Sequence, residues 1–504
     1  MNLQLILNGI KNYKILGKIN KNIKNIVQNS AKCSKKSLFF CIDGTKTNGI
    51  IYINEAINNG ANSVVLDKKY YDFFKHKKEI KIKSQNEIKK QNITYIFVED
   101  VRKAMAIMSA NFYGNPQQKL KVVGITGTNG KTSCSYIIAK LLKLLGKKVG
   151  VIGTSGIFIN NKKFESTMTT PDSIELFEIF SKMVKAKIEY CVMEVSAHAI
   201  FFDKIYGINF SAKALTNVKT DHLDFFKTQS KYEQTKISFF DNDNIVILNN
   251  DDKIGKKIAK NNQNCITFGQ NNANFQFFDM KCNLGKTQFY INNNNDIYKI
   301  TSKLTGKFNL QNLVLSVAVL SGLGFDIQKV ISKIKYIKNI DGRFDLIYSS
   351  KDFNVIIDYA HTLDSLKNLL LTVKQVSKNK NIIVFGCPGE RDTEKRFLMG
   401  QSVAKFCDCA ILTTDNPASE NPKRIMFEIE QGVKSQNCEC RCFLVENREK
   451  AIKKAIKIAK NQKNINILIV GKGVEKYQII GDRHIPYCDY DVAKKLLDDN
   501  KHNK

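Results

Sequence analysis

The sequence predicts an α/β protein built from three domains. Its 504 residues are 43% apolar, which is enough chain for about three hydrophobic cores of ordinary size. Short runs rich in isoleucine and valine alternate with helical patterns, an order typical of parallel sheets covered by helices. A glycine-rich turn follows one of these runs and opens the next helix, which indicates a phosphate-binding loop in the central domain.

The first domain is predicted to be a small α/β unit over residues 1–118. A strand and turn are expected at 37–44, a helix at 51–59 and another strand at 63–67. No pattern in this domain indicates catalysis by itself. The turn-rich tetrapeptide Tyr113–Pro116 then marks a boundary.

The central domain, expected at residues 119–341, begins with the stretch VVGITGTNGKT at 122–132. An apolar strand runs into glycines whose backbone N–H groups can converge on phosphate oxygens, and the next helix points its N-terminus at the anion. The Lys131 ammonium can reach terminal phosphates and the Thr132 hydroxyl can bind Mg²⁺, so ATP is the expected ligand. The spacing departs from the strict G-x-x-x-x-G-K-[ST] pattern, because Ile125 stands where the first glycine belongs.

Polar residues follow several further strands of the central domain. These strands are expected at 148–152, 190–195, 212–216 and 245–249. Because open parallel sheets bind ligands at the carboxyl ends of their strands, the segments after them are candidate site residues. His198 and His222 fall there beside carboxylates, a grouping that suits Mg²⁺ or phosphate. Either one alone could be a hydrogen-bonded structural histidine.

The third domain is expected at residues 342–504 and has a Rossmann-like pattern, in which strands alternate with amphipathic helices. The expected strands are 355–358, 382–385, 409–413 and 465–470.

The net charge of +32 raises the question of nucleic-acid binding. The lysines are spread along the whole chain, however, and Lys77–Lys90 is the one dense patch, so a solvated surface without a nucleic-acid partner is expected. The N-terminus lacks the features of a secretion signal and the apolar runs are too short to span a membrane, which favours a cytoplasmic protein.

The thirteen cysteines are scattered and read as reduced thiols. Cys438, Cys440 and Cys442 alternate as one face of a strand would, without the usual zinc spacing.

The motifs of the chain resemble those of the Mur ligases, in particular the MurE type, which adds the third peptide residue to UDP-N-acetylmuramoyl-L-alanyl-D-glutamate. Besides those already quoted, the motifs are TTP (169–171), MEVSAHA (193–199), TNVKTDHLDF (216–225), LTGKFNLQN (304–312), DGRFD (341–345), DYAHTLDSL (358–366), GERDTEKR (389–396), DNPASENP (415–422) and GKGVEKYQIIGD (471–482). The resemblance covers essentially the whole chain. It implies a monomeric, cytoplasmic enzyme of peptidoglycan synthesis, and hence of cell-wall biogenesis, cell shape and cell division. A folylpolyglutamate-type ligase and a nucleic-acid-dependent ATPase stay open as alternatives.

The resemblance also implies which residues bind ATP and Mg²⁺. The ATP residues would be Gly127, Thr128, Asn129, Gly130, Lys131, Thr132, Ser133, Asn309, Asn312, Arg343 and Asp358. The metal ligands would be Thr132, Glu194, His222 and Lys236, and the catalytic residues Lys131, Lys236, Glu194 and His222. Lys236 would carry a CO₂-derived carbamate, because a plain ammonium would repel the metal; the alternative is an ordinary surface lysine.

The substrate residues implied by the resemblance fall into two groups. Those on the UDP-dipeptide side are Ser30, Thr169, Thr170, Ser196 and Lys204, and those on the amino-acid side are Arg391, Asp415, Asn416, Pro417, Ala418, Gly471 and Glu475. Arg391 would bind the α-carboxylate of the incoming amino acid. Taken singly, these residues could also be surface ion pairs and turn residues. Phe202 and Val474 depart from the glutamine and histidine that many relatives carry.

Ala418 bears on the choice of amino acid. Diaminopimelate-adding relatives carry arginine at this position, where its charge meets the distal carboxylate of the substrate. Alanine therefore favours L-lysine, with meso-diaminopimelate as the alternative and ornithine also open. If diaminopimelate is used after all, another cation must reach its distal carboxylate.

The implied mechanism has two steps. The γ-carboxylate of the D-glutamyl residue takes the γ-phosphoryl group of ATP to become an acyl phosphate, and the amine of the third residue then displaces phosphate. Closure of the outer domains would align the reactants and exclude water.

Overall fold

A computed structural model describes residues 1–44, 47–81, 93–166, 168–240, 245–262 and 264–498. Most of the lysine-dense segment 77–90 lies outside the described residues. The chain forms two compact units, neither of them contiguous in sequence. The first comprises Met1–Gly127, Gly146–Leu215 and Gln229–Val246, and the second comprises Thr128–Leu145, Thr216–Thr228 and Ile247–Lys504.

The secondary structure is mixed throughout. The strands are β1 Lys14–Leu16, β2 Asn25–Val27, β3 Ser37–Phe40, β4 Ala61–Asp67, β5 Thr94–Val98, β6 Lys121–Thr126, β7 Val149–Gly153, β8 Gly156–Ile159, β9 Lys162–Phe164, β10 Tyr190–Glu194, β11 Phe210–Leu215, β12 Ile245–Asn249, β13 Ile266–Gly269, β14 Phe275–Asn283, β15 Lys286–Asn293, β16 Asp296–Ser302, β17 Asp345–Ser349, β18 Phe353–Asp358, β19 Lys380–Phe385, β20 Cys409–Leu412, β21 Arg441–Leu444, β22 Ile465–Val470, β23 Tyr477–Ile480 and β24 Arg483–Pro486.

Helices follow most of these strands. The α-helices are α1 Leu3–Ile6, α2 Ile53–Asn58, α3 Tyr71–Lys81, α4 Val101–Phe112, α5 Lys131–Leu144, α6 Ser173–Lys185, α7 Ala197–Phe201, α8 Leu223–Phe226, α9 Gln229–Ile237, α10 Lys253–Asn261, α11 Lys307–Gly322, α12 Ile327–Ile334, α13 Leu363–Val376, α14 Glu394–Phe406, α15 Pro422–Lys434, α16 Arg448–Lys460 and α17 Asp489–Asp498. Short 3₁₀ helices lie at Ser30–Lys32, Gly49–Tyr52, Lys68–Tyr70, Pro116–Lys119 and Ser238–Phe240. In the described residues, no helix is both long and apolar enough to cross a membrane.

The first unit contains a five-stranded sheet in the order β1-β5-β4-β3-β2, parallel except for β1. Because successive strand residues face opposite sides, the run at 37–40 serves two cores. Leu38 and Phe40 pack with α1 and α4, whereas Phe39 packs on the other face with α2. This arrangement explains why the strand reads as continuously apolar.

The first unit also contains the parallel strands β11, β6, β10 and β7, followed by the antiparallel strands β8 and β9. Strand β6 is central among them, since Val123 pairs with Val192 of β10 and with Ala212 of β11. From Val122 to Thr126 it is buried, and it leads directly into the glycine-rich loop.

In the second unit, β12, β13 and β14 are parallel, and β14, β15 and β16 form an antiparallel meander. A six-stranded sheet has the order β17-β18-β22-β19-β20-β21 and is parallel except for β17. Helices α13, α14 and α15 cover one face of it, and α16 and α17 cover the other. The hairpin β23–β24 stands apart from this sheet.

The α/β fold with its phosphate loop, Rossmann-like sheet and small N-terminal sheet is confirmed. The strands expected from β-branched runs are present with bounds within two residues of the predicted ones, and the strand and turn expected at 37–44 contain β3. The domain limits 1–118, 119–341 and 342–504 stay a prediction. The prediction for the cysteines is partly wrong. All thirteen are free, but Cys438 and Cys440 precede β21, which begins at Arg441, so the three do not share a strand face.

Candidate active site

The glycine-rich loop runs from the end of β6 to the start of α5. Gly127 and Gly130 have φ values of 144° and 90°, which side chains rarely adopt. A Cβ atom added to Gly130 would lie 2.7 Å from Oδ1 of Asn312. The loop therefore requires glycine at these points, as a close-fitting phosphate cradle does.

Residues that follow β11 hold the part of the loop in the second unit. The Asn217 carbonyl accepts a hydrogen bond from Thr128 N (2.8 Å), and its side chain exchanges hydrogen bonds with the backbone of Asn129. Thr216 Oγ1 also donates to the Asn129 carbonyl, at 2.6 Å. Lys131 Nζ lies 2.9 Å from the Thr128 carbonyl oxygen, so its ammonium lies over the loop.

The buried helix α11 supplies two asparagines near this loop. Asn309 is 1% exposed, and its Nδ2 donates to the Thr305 carbonyl. Its Oδ1 is buried without a hydrogen-bond partner in the described part of the chain. An unpaired buried acceptor is costly, so this atom is suited to a donor on a ligand. Asn312 instead accepts a hydrogen bond from the Cys134 thiol.

Arg343 and Asp358 lie on adjoining segments of the second unit. Arg343 Nη2 donates to Thr132 Oγ1 at 3.3 Å, and the guanidinium stacks 4.5 Å from the centre of the Tyr359 ring. The Asp358 carboxylate accepts hydrogen bonds from Phe344 N and Ala360 N. Burial raises the pKa of Asp358, while Arg343 acts to lower it. The structure thus brings the predicted residues Arg343 and Thr132 into direct contact.

Glu194 and Lys236 are both buried in the first unit, each 1% exposed. Glu194, at the end of β10, accepts hydrogen bonds from Thr154 N (2.9 Å) and Thr154 Oγ1 (3.2 Å). Lys236 Nζ donates to Thr126 Oγ1 and to the Gly127 carbonyl, both at 3.1 Å. The alternative that Lys236 is an ordinary surface lysine is therefore wrong. No sequence motif pointed to Thr154.

His222 caps α8 with a left-handed φ of 54° and lies 3.5 Å from the Asp221 carboxylate. Its side chain is 47% exposed. Across the described residues, no group of three or more His, Cys, Asp or Glu side chains could hold a metal ion unaided.

The residues expected to bind the UDP-dipeptide mostly gather at the ends of β7 and β10. Thr170 Oγ1 donates to the Glu194 carbonyl and accepts from Ser196 N, and Thr169 Oγ1 lies 3.0 Å from Thr154 Oγ1. Ser30 lies in another part of the first unit, where its hydroxyl donates to Glu55.

Lys204 is held by a carboxylate that the sequence did not single out. Its ammonium forms an ion pair with Asp172 at 2.7 Å, and Asp172 also accepts a hydrogen bond from Gln28. Phe202 stacks under the guanidinium of Arg102, 4.5 Å from its ring centre. Where many relatives carry a glutamine amide, position 202 therefore has an aromatic ring that contacts a cation.

Several of the residues expected to bind the incoming amino acid surround a buried lysine in the second unit. Lys472 is 0% exposed, and its Nζ lies 2.7 Å from Glu475 Oε2, 2.9 Å from Asn416 Oδ1 and 4.0 Å from Asp415 Oδ1. Asn416 Nδ2 also donates to Glu475, and Tyr359 donates to the other Glu475 oxygen. Burial raises the pKa of Asp415, against the lowering effects of Arg448 and Lys472.

Sequence reasoning missed Lys472, although the glycines on either side of it were a signal. Gly471 and Gly473 both have positive φ values, and a Cβ atom on Gly471 would lie 2.5 Å from the Asp415 carboxylate. Arg391 is the exception to the cluster. It lies in the exposed loop before α14, and its guanidinium forms no ion pair with a described residue.

The loop 416–418 is fixed by its neighbours. Gly389 N donates to the Asn416 carbonyl, and a Cβ on Gly389 would overlap the Pro417 carbonyl. Ala418 has a left-handed φ of 50°.

Comparison with known proteins gives matches over most of the chain. Three family models match: "Mur ligase family, catalytic domain" at residues 22–113, "Mur ligase middle domain" at 125–320 and "Mur ligase, glutamate ligase domain" at 342–473. A Clostridium acetobutylicum protein named UDP-N-acetylmuramoyl-L-alanyl-D-glutamate--2,6-diaminopimelate ligase 1 is 40% identical over 501 residues, covering 99% of both chains. A Clostridium botulinum protein named as the same kind of ligase is 37% identical, again over 99% of both chains.

A solved structure named for UDP-N-acetylmuramoyl-L-alanyl-D-glutamate--2,6-diaminopimelate ligase superposes with a TM-score of 0.68 at 25% identity. It covers 100% of this chain and 99% of its own. Because the family models span the sequence from residue 22 to residue 473 with short gaps, and two relatives match it over its length, the chain belongs to the Mur ligase family.

Proposed function

We propose that this ligase adds meso-diaminopimelate to UDP-N-acetylmuramoyl-L-alanyl-D-glutamate, with hydrolysis of ATP to ADP and phosphate, in the cytoplasmic stage of peptidoglycan synthesis. The observation that carries the proposal is the 40% identity, over 99% of both chains, to a relative named for that reaction. The preference for L-lysine drawn from Ala418 is not supported by the relatives, and its alternative, diaminopimelate, is. A nucleic-acid-dependent ATPase has no support from them either.

Mur ligases are ATP-dependent enzymes, and the loop 127–133 is proposed to hold the phosphates. The glycine-only conformation of this loop supports the assignment. Arg343 would stabilise the Thr132 hydroxyl beside the phosphates, and Asp358 would fix the segment that carries Arg343. The unpaired Oδ1 of Asn309 would accept a hydrogen bond from the exocyclic amine of the base, and Asn312 would lie beside it.

Thr132, Glu194, His222 and a carbamylated Lys236 are proposed as Mg²⁺ ligands. Mg²⁺ is commonly held by one or two carboxylates together with substrate phosphates, and the buried carboxylate of Glu194 fits that mode. The buried position of Lys236 supports a role in the active site. A carbamate on this lysine would add an anionic ligand for the metal. When bound, the ion would neutralise charge on the phosphates.

The cluster around Lys472 is proposed to hold the amine end of the incoming amino acid, and Arg391 its α-carboxylate. Oxygen atoms of Asp415, Asn416 and Glu475 gather around the Nζ atom of Lys472, and hydrogen-bond acceptors of this kind suit an ammonium group. Lys472 would also keep Asn416 and Glu475 in fixed orientations, since it bonds to both.

In the proposed mechanism, Lys131 stabilises the charge that develops on the transferred phosphoryl group as the D-glutamyl γ-carboxylate becomes an acyl phosphate. Ser30, Thr169, Thr170, Ser196 and Lys204 would position the UDP-dipeptide that carries this carboxylate. The amine, held near the Lys472 cluster, must lose a proton before it attacks the acyl carbon. A new C–N bond then forms as the bond to phosphate breaks.

The test is ADP release from the purified protein with ATP, Mg²⁺ and the UDP-muramoyl-dipeptide, in the presence of meso-diaminopimelate, L-lysine or L-ornithine. The proposal expects turnover with diaminopimelate to exceed that with the other two by at least about tenfold, a typical value for one charged contact. Equal or greater turnover with lysine would reject the choice of amino acid, and no turnover with any of the three would reject the reaction.

A further inference from the structure

The hairpin β23–β24 docks on the loop that carries Ala418. Gln478 Nε2 donates to the carbonyl oxygens of residues 414 and 415, at 3.2 and 3.0 Å. Ile479 N donates to Asn416 Oδ1 at 3.0 Å. Ala418 N donates to the Ile479 carbonyl (3.2 Å), and the Ala418 carbonyl accepts from Gly481 N (2.8 Å). The hairpin is thus fixed in register against the amino-acid loop.

This register places Arg483 in the same row as Ala418. Ala418 forms a parallel bridge with Ile480, and Ile480 pairs directly with Arg483 across the hairpin. Residues that pair directly on neighbouring strands present their side chains on the same face of the sheet. Two strand spacings separate Ala418 and Arg483 by about 10 Å, and an extended arginine reaches about 7 Å from its Cα. A guanidinium at 483 can therefore reach the region in front of Ala418.

Several other cations around this loop form ion pairs, and Arg391, which forms none with a described residue, is already assigned to the α-carboxylate of the amino acid. Arg396 is buried between Glu420 and Glu428, and Lys472 is bonded to Glu475. Arg424 and Lys476 also form ion pairs with nearby carboxylates. Arg483, by contrast, is exposed and forms no ion pair within the described part of the chain.

The immediate surroundings of Ala418 are acidic. Ser419 donates to Glu390 Oε1 through its hydroxyl, at 2.6 Å, and Glu390 N donates to the Glu420 carboxylate. Carboxylates here suit a distal ammonium, which lysine and diaminopimelate both possess. They cannot distinguish the two amino acids, so discrimination requires a cation that meets the distal carboxylate of diaminopimelate.

We propose that Arg483 is this cation, and that it determines specificity by binding the distal carboxylate of the incoming diamino acid. The inference rests on the proposed function. It assigns to the hairpin a role in substrate selection and explains how a chain with alanine at 418 can use diaminopimelate.

The test compares kcat/KM for meso-diaminopimelate and L-lysine in the wild-type protein and in Arg483→Gln, at fixed ATP and UDP-muramoyl-dipeptide. We expect kcat/KM for diaminopimelate to fall roughly ten- to a hundredfold, mainly through KM, because one charge-assisted contact is lost. The value for lysine should stay within about twofold, since lysine has no distal carboxylate. Arg441→Gln, at an exposed arginine of β21, is the matched control and should leave both values unchanged.

Two further variants separate recognition from folding. Arg483→Lys should recover part of the diaminopimelate activity, because it keeps the charge without the fork of donors. Adding Ala418→Arg to Arg483→Gln should restore diaminopimelate use, because the two positions lie in one row. The inference is overturned if Arg483→Gln retains wild-type use of diaminopimelate, or if the values for both amino acids fall by the same factor. A wild-type protein that does not use diaminopimelate contradicts the proposed function instead.

Discussion

The ammonium of Lys236 lies 3.1 Å from the carbonyl oxygen of Gly127, the first glycine of the phosphate loop. In a chain with 79 lysines and arginines, few described lysines are buried, and this one is 1% exposed. Burying an amine is costly unless its surroundings compensate. The position of Lys236 is therefore better explained by a role beside the loop than by lysine-rich composition.

Replacement of Lys236 tests that role. Lys236→Ala should be nearly inactive, and short carboxylic acids should restore part of the activity, because they can supply the anionic group that a carbamate would provide. Lys231→Ala, at an exposed position of the same helix, is the control and should keep wild-type turnover. If Lys236→Ala and Lys231→Ala are equally active, Lys236 has no part in the reaction.

Lys131→Ala should yield a folded protein that has lost at least about a hundredfold in kcat, because the lysine supports the developing charge in phosphoryl transfer and not the core. Its Tm should stay within about 2 °C of wild type. Lys143→Ala, at the exposed end of the same helix, provides the comparison. Wild-type turnover by Lys131→Ala would contradict the ATP assignment.

Breaking the buried ion pair between Arg448 and Asp489 should lower the free energy of unfolding of the second unit. Both side chains are 0% exposed, and Arg448 Nη2 also donates to the Val470 carbonyl, next to Gly471. Arg448→Met removes the ion-pair partner of the buried Asp489 carboxyl group, so urea unfolding should show a loss of about 3 to 5 kcal/mol. Arg424→Met, which breaks an exposed pair with Glu428, should cost less than about 1 kcal/mol. Similar losses for the two variants would show that the buried pair contributes no more to the free energy of unfolding than the exposed pair does.

Asp345 should make stability depend on pH. Burial raises the pKa of its carboxyl to about 6, above the unfolded value near 3.9. The stability that the protonated Asp345 carboxyl contributes to the folded state is therefore fully present below pH 4 and is lost as the pH rises through 6. Asp345→Asn should raise the free energy of unfolding at pH 8 by up to about 3 kcal/mol, and should change little at pH 4. Denaturant unfolding at both pH values measures this, and an equal effect at both would reject the explanation.

The sequence predicted the strands well because each buried parallel strand needs a continuous β-branched run, as at 121–126 and 465–470. It did not predict the meander β14–β16, whose strands are partly exposed and rich in asparagine. The motifs indicated most of the candidate site residues. They did not indicate Thr154 or Lys472, because the hydrogen bonds of these residues depend on which strand ends meet in the fold.

Ala418 shows the limit of reasoning from a single position. The missing arginine suggested lysine as the substrate, but the row Ala418, Ile480, Arg483 is visible only once the hairpin is paired with the loop. The two ends of that row are 65 positions apart in sequence, so no local pattern connects them.

Formation of an acyl phosphate is tested with UDP-muramoyl-dipeptide labelled with ¹⁸O in the D-glutamyl γ-carboxylate. The wild-type protein is incubated with this substrate, ATP, Mg²⁺ and meso-diaminopimelate, and mass spectrometry measures the nucleotide product and the released phosphate. An acyl phosphate requires that one carboxylate oxygen leave with the phosphoryl group. The acyl-phosphate mechanism predicts a product heavier by one diaminopimelyl residue and one ¹⁸O atom in each phosphate released. Unlabelled phosphate, or a dipeptide recovered unchanged while ATP is consumed, would contradict it.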